Sequence, residues 1–140
     1  MAQSIRDIMA RAPQTVSKDA SLIEAARLMR DADVGDVLVV DRSSNLVGIV
    51  TDRDIVIRAV AEGRDAAATP VMEVASEDLV VASPRDTLDD AERLLRDNAL
   101  RRLPVVENGK VIGVVSIGDL AIERDADSAL ADVSAAPGNQ

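Results

Sequence analysis

The stretch LIEAARLMRD at 22–31 returns as LDDAERLLRD at 88–97. Around it, VLVVD at 37–41 returns as LPVVE at 103–107, and GIVTDRD at 48–54 returns as GVVSIGD at 113–119. The first two matches lie 66 residues apart and the third 65, because the loop before Gly113 is one residue shorter. A period this long in 140 residues means two copies of one supersecondary unit, not a solenoid. Each copy alone buries too little surface for a good core, so the two are expected to pack against each other and to form paired clefts.

Each copy reads as strand–helix–strand–strand–helix. Ser4 and Asp7 form a capping pattern ahead of a short helix that Pro13 closes. Thr15-Val16 reads as a short extended piece. Ser21 and Glu24 open a helix whose inward stripe is Leu22, Ala25, Ala26 and Met29. Val37–Val40 and Leu46–Val50 are hairpin strands, and Thr51 caps a helix that Gly63 stops. In the second copy Thr69-Pro70 caps a short helix at Val71–Glu73, and Val80-Val81 is the extended piece. Thr87 and Asp90 open a helix with Leu88, Ala91, Leu94 and Leu95 inward. The second hairpin turns at Asn108-Gly109, and Ser116 caps the last helix. These boundaries give repeats at 1–63 and 71–124, a linker at 64–70, and a disordered tail from 125, where no large apolar face remains.

Composition narrows the chemistry. The chain has no Phe, Tyr, Trp, Cys or His, and its net charge is −9. The core must be aliphatic. Without Cys there is no disulfide or thiol chemistry, and without His the commonest general base and metal ligand is missing. No apolar run reaches membrane-span length, and MAQSIRDIMARAP has no signal-peptide pattern, so a cytoplasmic protein is expected. The acidic balance disfavours nucleic acid, which is bound through Lys and Arg.

The recurring chemistry is a strand ending in Gly-x-x-Thr/Ser-x-x-Asp: Gly48, Thr51 and Asp54, then Gly113, Ser116 and Asp119. A strand running into a helix start exposes unpaired N–H groups that suit an anion. The hydroxyl can meet a phosphate oxygen, and the Asp can accept two hydrogen bonds from a diol. Glycine has no Cβ to keep a ligand from the strand. The same pattern is also a plain capping box, which this chain uses at Ser4/Asp7, Ser21/Glu24 and Thr87/Asp90, so both readings stand.

Over residues 5–122 the chain resembles a tandem pair of CBS (cystathionine β-synthase) domains, a Bateman module. Ile8-Met9 and Val71-Met72, the two long helices, Leu103-Pro104-Val105-Val106 and the two Gly-x-x-Thr/Ser-x-x-Asp endings carry the resemblance. Thr51–Val56 and the short length look most like stand-alone bacterial CBS pairs, including the hypoxic response protein group. The resemblance implies an α/β (α+β) fold of two β-α-β-β-α repeats packed as a pseudo-two-fold pair. It further implies homodimers, head-to-head or head-to-tail, and an adenosyl ligand: AMP, ADP, ATP or S-adenosylmethionine. By that resemblance Asp54 and Asp119 hold ribose hydroxyls, Thr51 and Ser116 lie beside phosphate, and Thr15, Val16, Val80 and Val81 line the base pocket.

The chain also departs from equivalence. Adenine could be sandwiched only by aliphatics such as Val16, Ile49, Val81 or Val114. Arg53 stands inside the first motif where the second has Gly118, and Arg101-Arg102 precede the second inner strand where the first repeat has Gly35-Asp36. The arginine pair reads either as a phosphate clamp or as a solvated strand end bridged to Asp97 or Glu107. Asp36, Asp52 and Asp54 form an acidic end that suits Mg²⁺ carried with a nucleotide. Met9, Met29 and Met72 read as core fillers, with closure of Met9 and Met72 over a base as the other reading. No nucleophile is spaced with its base, so the expectation is a non-enzymatic sensor with a protein partner the sequence does not name. The alternative is a ligand-free dimerisation scaffold.

Overall fold

The computed structural model describes residues 4–126. The first repeat holds β1 (Thr15–Ser17), α1 (Leu22–Ala32), β2 (Asp36–Val40), β3 (Leu46–Thr51) and α2 (Asp52–Ile55), which continues as a π-helical turn over Val56–Val60. The second holds α3 (Leu88–Asp97), β4 (Arg102–Glu107), β5 (Lys110–Ser116) and α4 (Ile117–Ala126). A 3-10 turn leads each repeat, at Ile5–Asp7 and at Val71–Glu73. The fold class is α+β, as the resemblance implies. No helix among the described residues is long and apolar enough to cross a membrane.

The chain divides into two units whose bounds differ from the repeats expected at 1–63 and 71–124. The Asp54 unit takes Pro13–Leu79 and Gly109–Val111; the Asp119 unit takes the chain up to Ala12, Val80–Asn108 and the chain from Ile112 on. Each repeat's leading segment therefore belongs to the other repeat's unit. The reason is backbone pairing. Ser76 exchanges two hydrogen bonds with Ile49 of β3, at 2.8 and 3.0 Å. Ala10 does the same with Val114 of β5, at 2.8 and 2.9 Å. The linker expected at 64–70 is likewise held: Ala66 and Thr69 carbonyls accept the first two N–H groups of α1, from Ile23 and Leu22. Those donors have no partner inside their own helix.

Within the Asp54 unit, β2 lies between β1, parallel, and β3, antiparallel, with Asp36 opposite Thr51 and Leu38 opposite Thr15. Leu22, Ala25 and Met29 of α1 cover this sheet's buried Val37, Val39 and Val50. Ala26, expected on that stripe, is exposed, because it sits a helical step beyond the i, i+3, i+7 line. Val71 and Val74 of the leading segment complete the core. In the Asp119 unit Ala91 and Leu95 of α3 pack with Leu103, Val105 and Val115, and the leading segment supplies Ile5 and Met9. Leu88 and Leu94 are half-buried at its border. At about 25 cal/mol per Å² of apolar surface, each fully buried Val or Leu contributes about 1.5–3 kcal/mol, which is how a core without aromatics holds.

Val80-Val81, expected as the second repeat's first strand, forms no strand; the pairing shrinks to one parallel bridge, Ala82 with Val105. Two prolines explain this. In the first repeat Leu38 N–H donates to Gln14 and Lys18 N–H to Val40, at 3.1 and 2.9 Å, extending the ladder at both ends. The matched donors in the second repeat are Pro104 and Pro84, which have no N–H. Only the central pair survives, Ala82 N–H to Pro104 and Val106 N–H to Ala82, each 2.9 Å.

Other local expectations resolve similarly. Asn108 and Gly109 both take positive φ, 54° and 82°, as a two-residue hairpin turn requires. Thr69 does not cap the Val71 turn: its hydroxyl donates to the Asp65 carbonyl at 2.7 Å. The tail expected from 125 begins inside α4, which runs to Ala126, and 127–140 lie outside the described residues.

The glycines before each motif are filled from within the fold. A Cβ on Gly113 would stand 2.7 Å from Met9 Sδ and 2.8 Å from the Ala10 carbonyl oxygen; one on Gly48 would stand 3.2 Å from both Met72 Cε and the Ser76 carbonyl oxygen. Gly113→Ala is therefore expected to destabilise by about 1–3 kcal/mol and Gly48→Ala by less, the cost of overpacking. Parallel urea denaturation of the two variants tests the order; equal midpoints would contradict it.

Candidate functional site

Each unit carries one copy of the motif, built by the same local rule. β3 delivers Thr51 to the start of α2, where its hydroxyl accepts Asp54 N–H at 3.0 Å and Asp54 Oδ2 accepts Thr51 N–H at 3.0 Å. β5 delivers Ser116 to the start of α4, with the same two bonds to Asp119, each 3.0 Å. Thr87 and Asp90 make the same reciprocal pair at α3, at 3.1 Å each. There the cap holds the Asp90 carboxyl below its ordinary range, through the Thr87 N–H first and the hydroxyl second. All three pairs are capping boxes, so the capping reading is realised in full. It uses one carboxylate oxygen. Oδ1 of Asp119 has no partner among the described residues, and Oδ1 of Asp54 meets only Arg58, 3.9 Å away.

The remaining expected site residues divide between the units. Thr15 and Val16 lie on β1, and the shared register with β2 puts Thr15 at the end of the sheet where Thr51 finishes β3. Thr15 is exposed and Val16 half-buried. Arg53 is exposed one residue into α2, its N–H donating to Asp52 Oδ1 at 2.8 Å. In the other unit Val80 is half-buried and Val81 exposed beside the Ala82 bridge, and Arg101 and Arg102 are exposed at the start of β4. The Arg101 carbonyl accepts Ile117 N–H at 2.9 Å, which sets this arginine next to the second motif; Gly35 holds the same place toward Asp52. Of the two carboxylates considered as bridges, Asp97 lies beside Arg96 at 3.8 Å and Glu107 takes Arg6 at 3.2 Å.

One reading changes. The space left by Gly48 and Gly113 is occupied by the leading segments, so these glycines serve backbone packing and not ligand approach. Met9 and Met72 fill that same space, which realises their packing reading. Asp36, Asp52 and Asp54 do not gather as a metal-holding group; among the described residues no three His, Cys, Asp or Glu do.

Sequence reasoning missed two features. Arg58, one turn after Asp54, donates to the Val74 carbonyl at 3.2 Å and so links the motif helix to the leading segment. Its i+4 spacing from Asp54 was the available signal. The second is a cavity of about 530 Å³ between α3 and α4, with an apolar lining that includes Leu95, Ile117 and Leu120. Arg101 borders it, whereas Ser116 and Asp119 do not.

The comparisons agree with this architecture. The family model described as "CBS domain" matches twice, at residues 5–60 and 71–124. The chain is 42% identical over 135 residues to the CBS domain-containing protein YhcV of Bacillus subtilis, covering 94% of this chain and 95% of that one. A crystal structure of hypoxic response protein I with two coordinated zinc ions superposes with a TM-score of 0.78 at 29% identity, over 84% of this chain and 96% of the other. A crystal structure of CBSX2 in complex with AMP superposes with a TM-score of 0.77 at 26% identity, over 88% and 96%.

The caps give a test that needs no ligand. Thr51→Ala and Ser116→Ala each remove the acceptor for the third helical N–H and should each cost about 1 kcal/mol. Thermal melts of the two variants check this; an unchanged melting temperature in both would show that the hydroxyls are not holding the helix starts.

Proposed function

The chain belongs to the CBS domain family, and on that premise we propose that it is a non-enzymatic regulatory module that binds an adenosyl ligand. The observation that carries the reading is the doubled motif, one per unit, in which each Asp spends one oxygen on its cap and keeps the other for a diol. The AMP held by CBSX2, similar over most of its length, supports an adenosyl ligand from the set AMP, ADP, ATP and S-adenosylmethionine. Asp54 and Asp119 are assigned to the ribose, Thr51 and Ser116 to the phosphate side, and Thr15, Val16, Val80 and Val81 to the base. Arg53 and Arg101-Arg102 supply the cations, from different places in the two repeats, so the two sites are unequal. Any Mg²⁺ would arrive with the phosphates.

Occupancy signals by favouring one arrangement of the repeats, or of a homodimer, over another. By linkage the favoured arrangement binds the ligand more tightly, and a protein partner reads the change. The setting we assign is the cytoplasm. A second reading, the ligand-free scaffold, draws on Thr87 and Asp90: the same bonds form there purely as a cap.

The absence of Phe, Tyr and Trp makes the test simple, since the polypeptide is nearly transparent in the near ultraviolet. Purified protein is expected to show an adenine band that separates on heat denaturation, or to melt at higher temperature with AMP, ADP, ATP or S-adenosylmethionine. Asp54→Ala and Asp119→Ala should each weaken binding at their own site by about 10- to 100-fold, the worth of hydrogen bonds to a charged group. A blank spectrum with no ligand-induced shift would sink the sensor and favour the scaffold.

A further inference from the structure

The two units fasten their base-pocket walls differently, and one residue decides the difference. In the Asp54 unit the wall is β1. Thr15–Ser17 pairs with β2 over three residues, and Leu38 N–H donates to the Gln14 carbonyl at 3.1 Å just before it. In the Asp119 unit the matched carbonyl is that of Val80, and the matched donor would be Pro104, which has no N–H. The far end of this wall also lacks its donor, at Pro84, but it is fastened in another way. Arg6 N–H donates to the Pro84 carbonyl at 3.2 Å, and Ser83 N–H donates to Asp86 Oδ2 at 2.9 Å. The near end has no such replacement: among the described residues no backbone–backbone hydrogen bond holds Glu77 to Val81. Val80 packs at the border of the core, and Val81 is 39% exposed.

From this we propose that Pro104 is a positioning residue: it leaves the Val80-Val81 wall loose until a ligand closes it. The Asp119 site is then the one that turns occupancy into a change of shape. The inference rests on the adenosyl reading above. A backbone segment without ladder bonds samples many conformations, and a ligand that holds it in one must offset the entropy lost. At the Asp54 site β1 is ordered before any ligand arrives, so binding there leaves the wall as it was. A ligand shifts an equilibrium only by favouring one state over another. The loose wall of the Asp119 site provides those states, and the pre-tied wall of the Asp54 site does not.

The test substitution is Pro104→Leu, which gives position 104 the donor and side chain that the first repeat has at Leu38. Pro104→Ala supplies the donor with a smaller side chain. Backbone order parameters at Val80 and Val81 are measured by NMR without ligand and with millimolar AMP, with Thr15 and Val16 as the internal reference. A rigid backbone gives about 0.85 and a mobile one falls below about 0.6. In the unaltered chain Val80 and Val81 are expected to start below Thr15 and Val16 and to rise when AMP binds. In both variants they should start high and stay there. AMP should also bind the Asp119 site of the variants about 2- to 10-fold more tightly, the worth of one backbone hydrogen bond. Titration in an Asp54→Ala background isolates that site. A purely structural role for Pro104 would not move the ligand response of the wall. The comparison within the unaltered chain needs neither variant to fold. Order parameters at Val80 and Val81 that match the reference without ligand, or stay low while AMP binds, overturn the inference and leave the adenosyl reading standing. Failure of AMP, ADP, ATP and S-adenosylmethionine alike to bind removes that reading and the inference with it.

Discussion

Two pairs of backbone hydrogen bonds organise everything else here: Ser76 with Ile49, and Ala10 with Val114. Each attaches the leading segment of one repeat to the last strand of the other. Each sets a methionine and a carbonyl oxygen against a glycine whose missing Cβ makes the approach possible. Neither unit's core is complete without its visitor, since Val71 and Val74 on one side and Ile5 and Met9 on the other are buried in it. The motif helices start a few residues beyond these bridges, on strands that the bridges fix. The constraint on the fold and the constraint on the site are therefore one constraint.

The motif's carboxylate has one task in the structure, its cap, and that task uses one of its two oxygens. A carboxylate that accepts its own cap's N–H through one oxygen is held in a single rotamer, with the other oxygen directed by the same torsion. A cap is thus a means of pre-positioning an acceptor, and the capping and binding readings do not compete for the residue. They differ in what the free oxygen meets, which is Arg58 at Asp54 and no described group at Asp119.

Duplication gave two equal starting copies, and the differences between them are physically interpretable. Pro84 and Pro104 remove the donors that would extend β1's counterpart, so the segment carrying Val80 and Val81 is tied at one residue where the segment carrying Thr15 and Val16 is tied at three. A pocket wall built on the first is held less firmly than one built on the second. Val56 against Ala121 changes surface shape without touching either core, since both lie on the outward face of a helix whose inward residues, Ala59 and Leu120, remain buried. Such surface positions are free to diverge because no internal packing is lost.

What the sequence determined by itself is what a few neighbouring residues decide. The caps at Ser21, Thr51, Thr87 and Ser116, the α3 stripe and the α1 stripe apart from Ala26, the hairpin turn at Asn108-Gly109 and the repeat itself were legible. Each depends on interactions within about one turn of helix or one pair of strands, whose geometry the covalent chain already restricts. The misreadings share the opposite property. The occupant of the space at Gly48 and Gly113, the partner of the Thr69 hydroxyl, and the cavity behind Arg101 depend on groups distant along the chain or facing away from the motif. The prolines were visible all along, but they cost a strand only once the register identifies Pro84 and Pro104 as the missing donors. Tertiary structure alone decides such matters, because a residue's type states what it can donate, accept or bury, and only the fold brings the second group within reach.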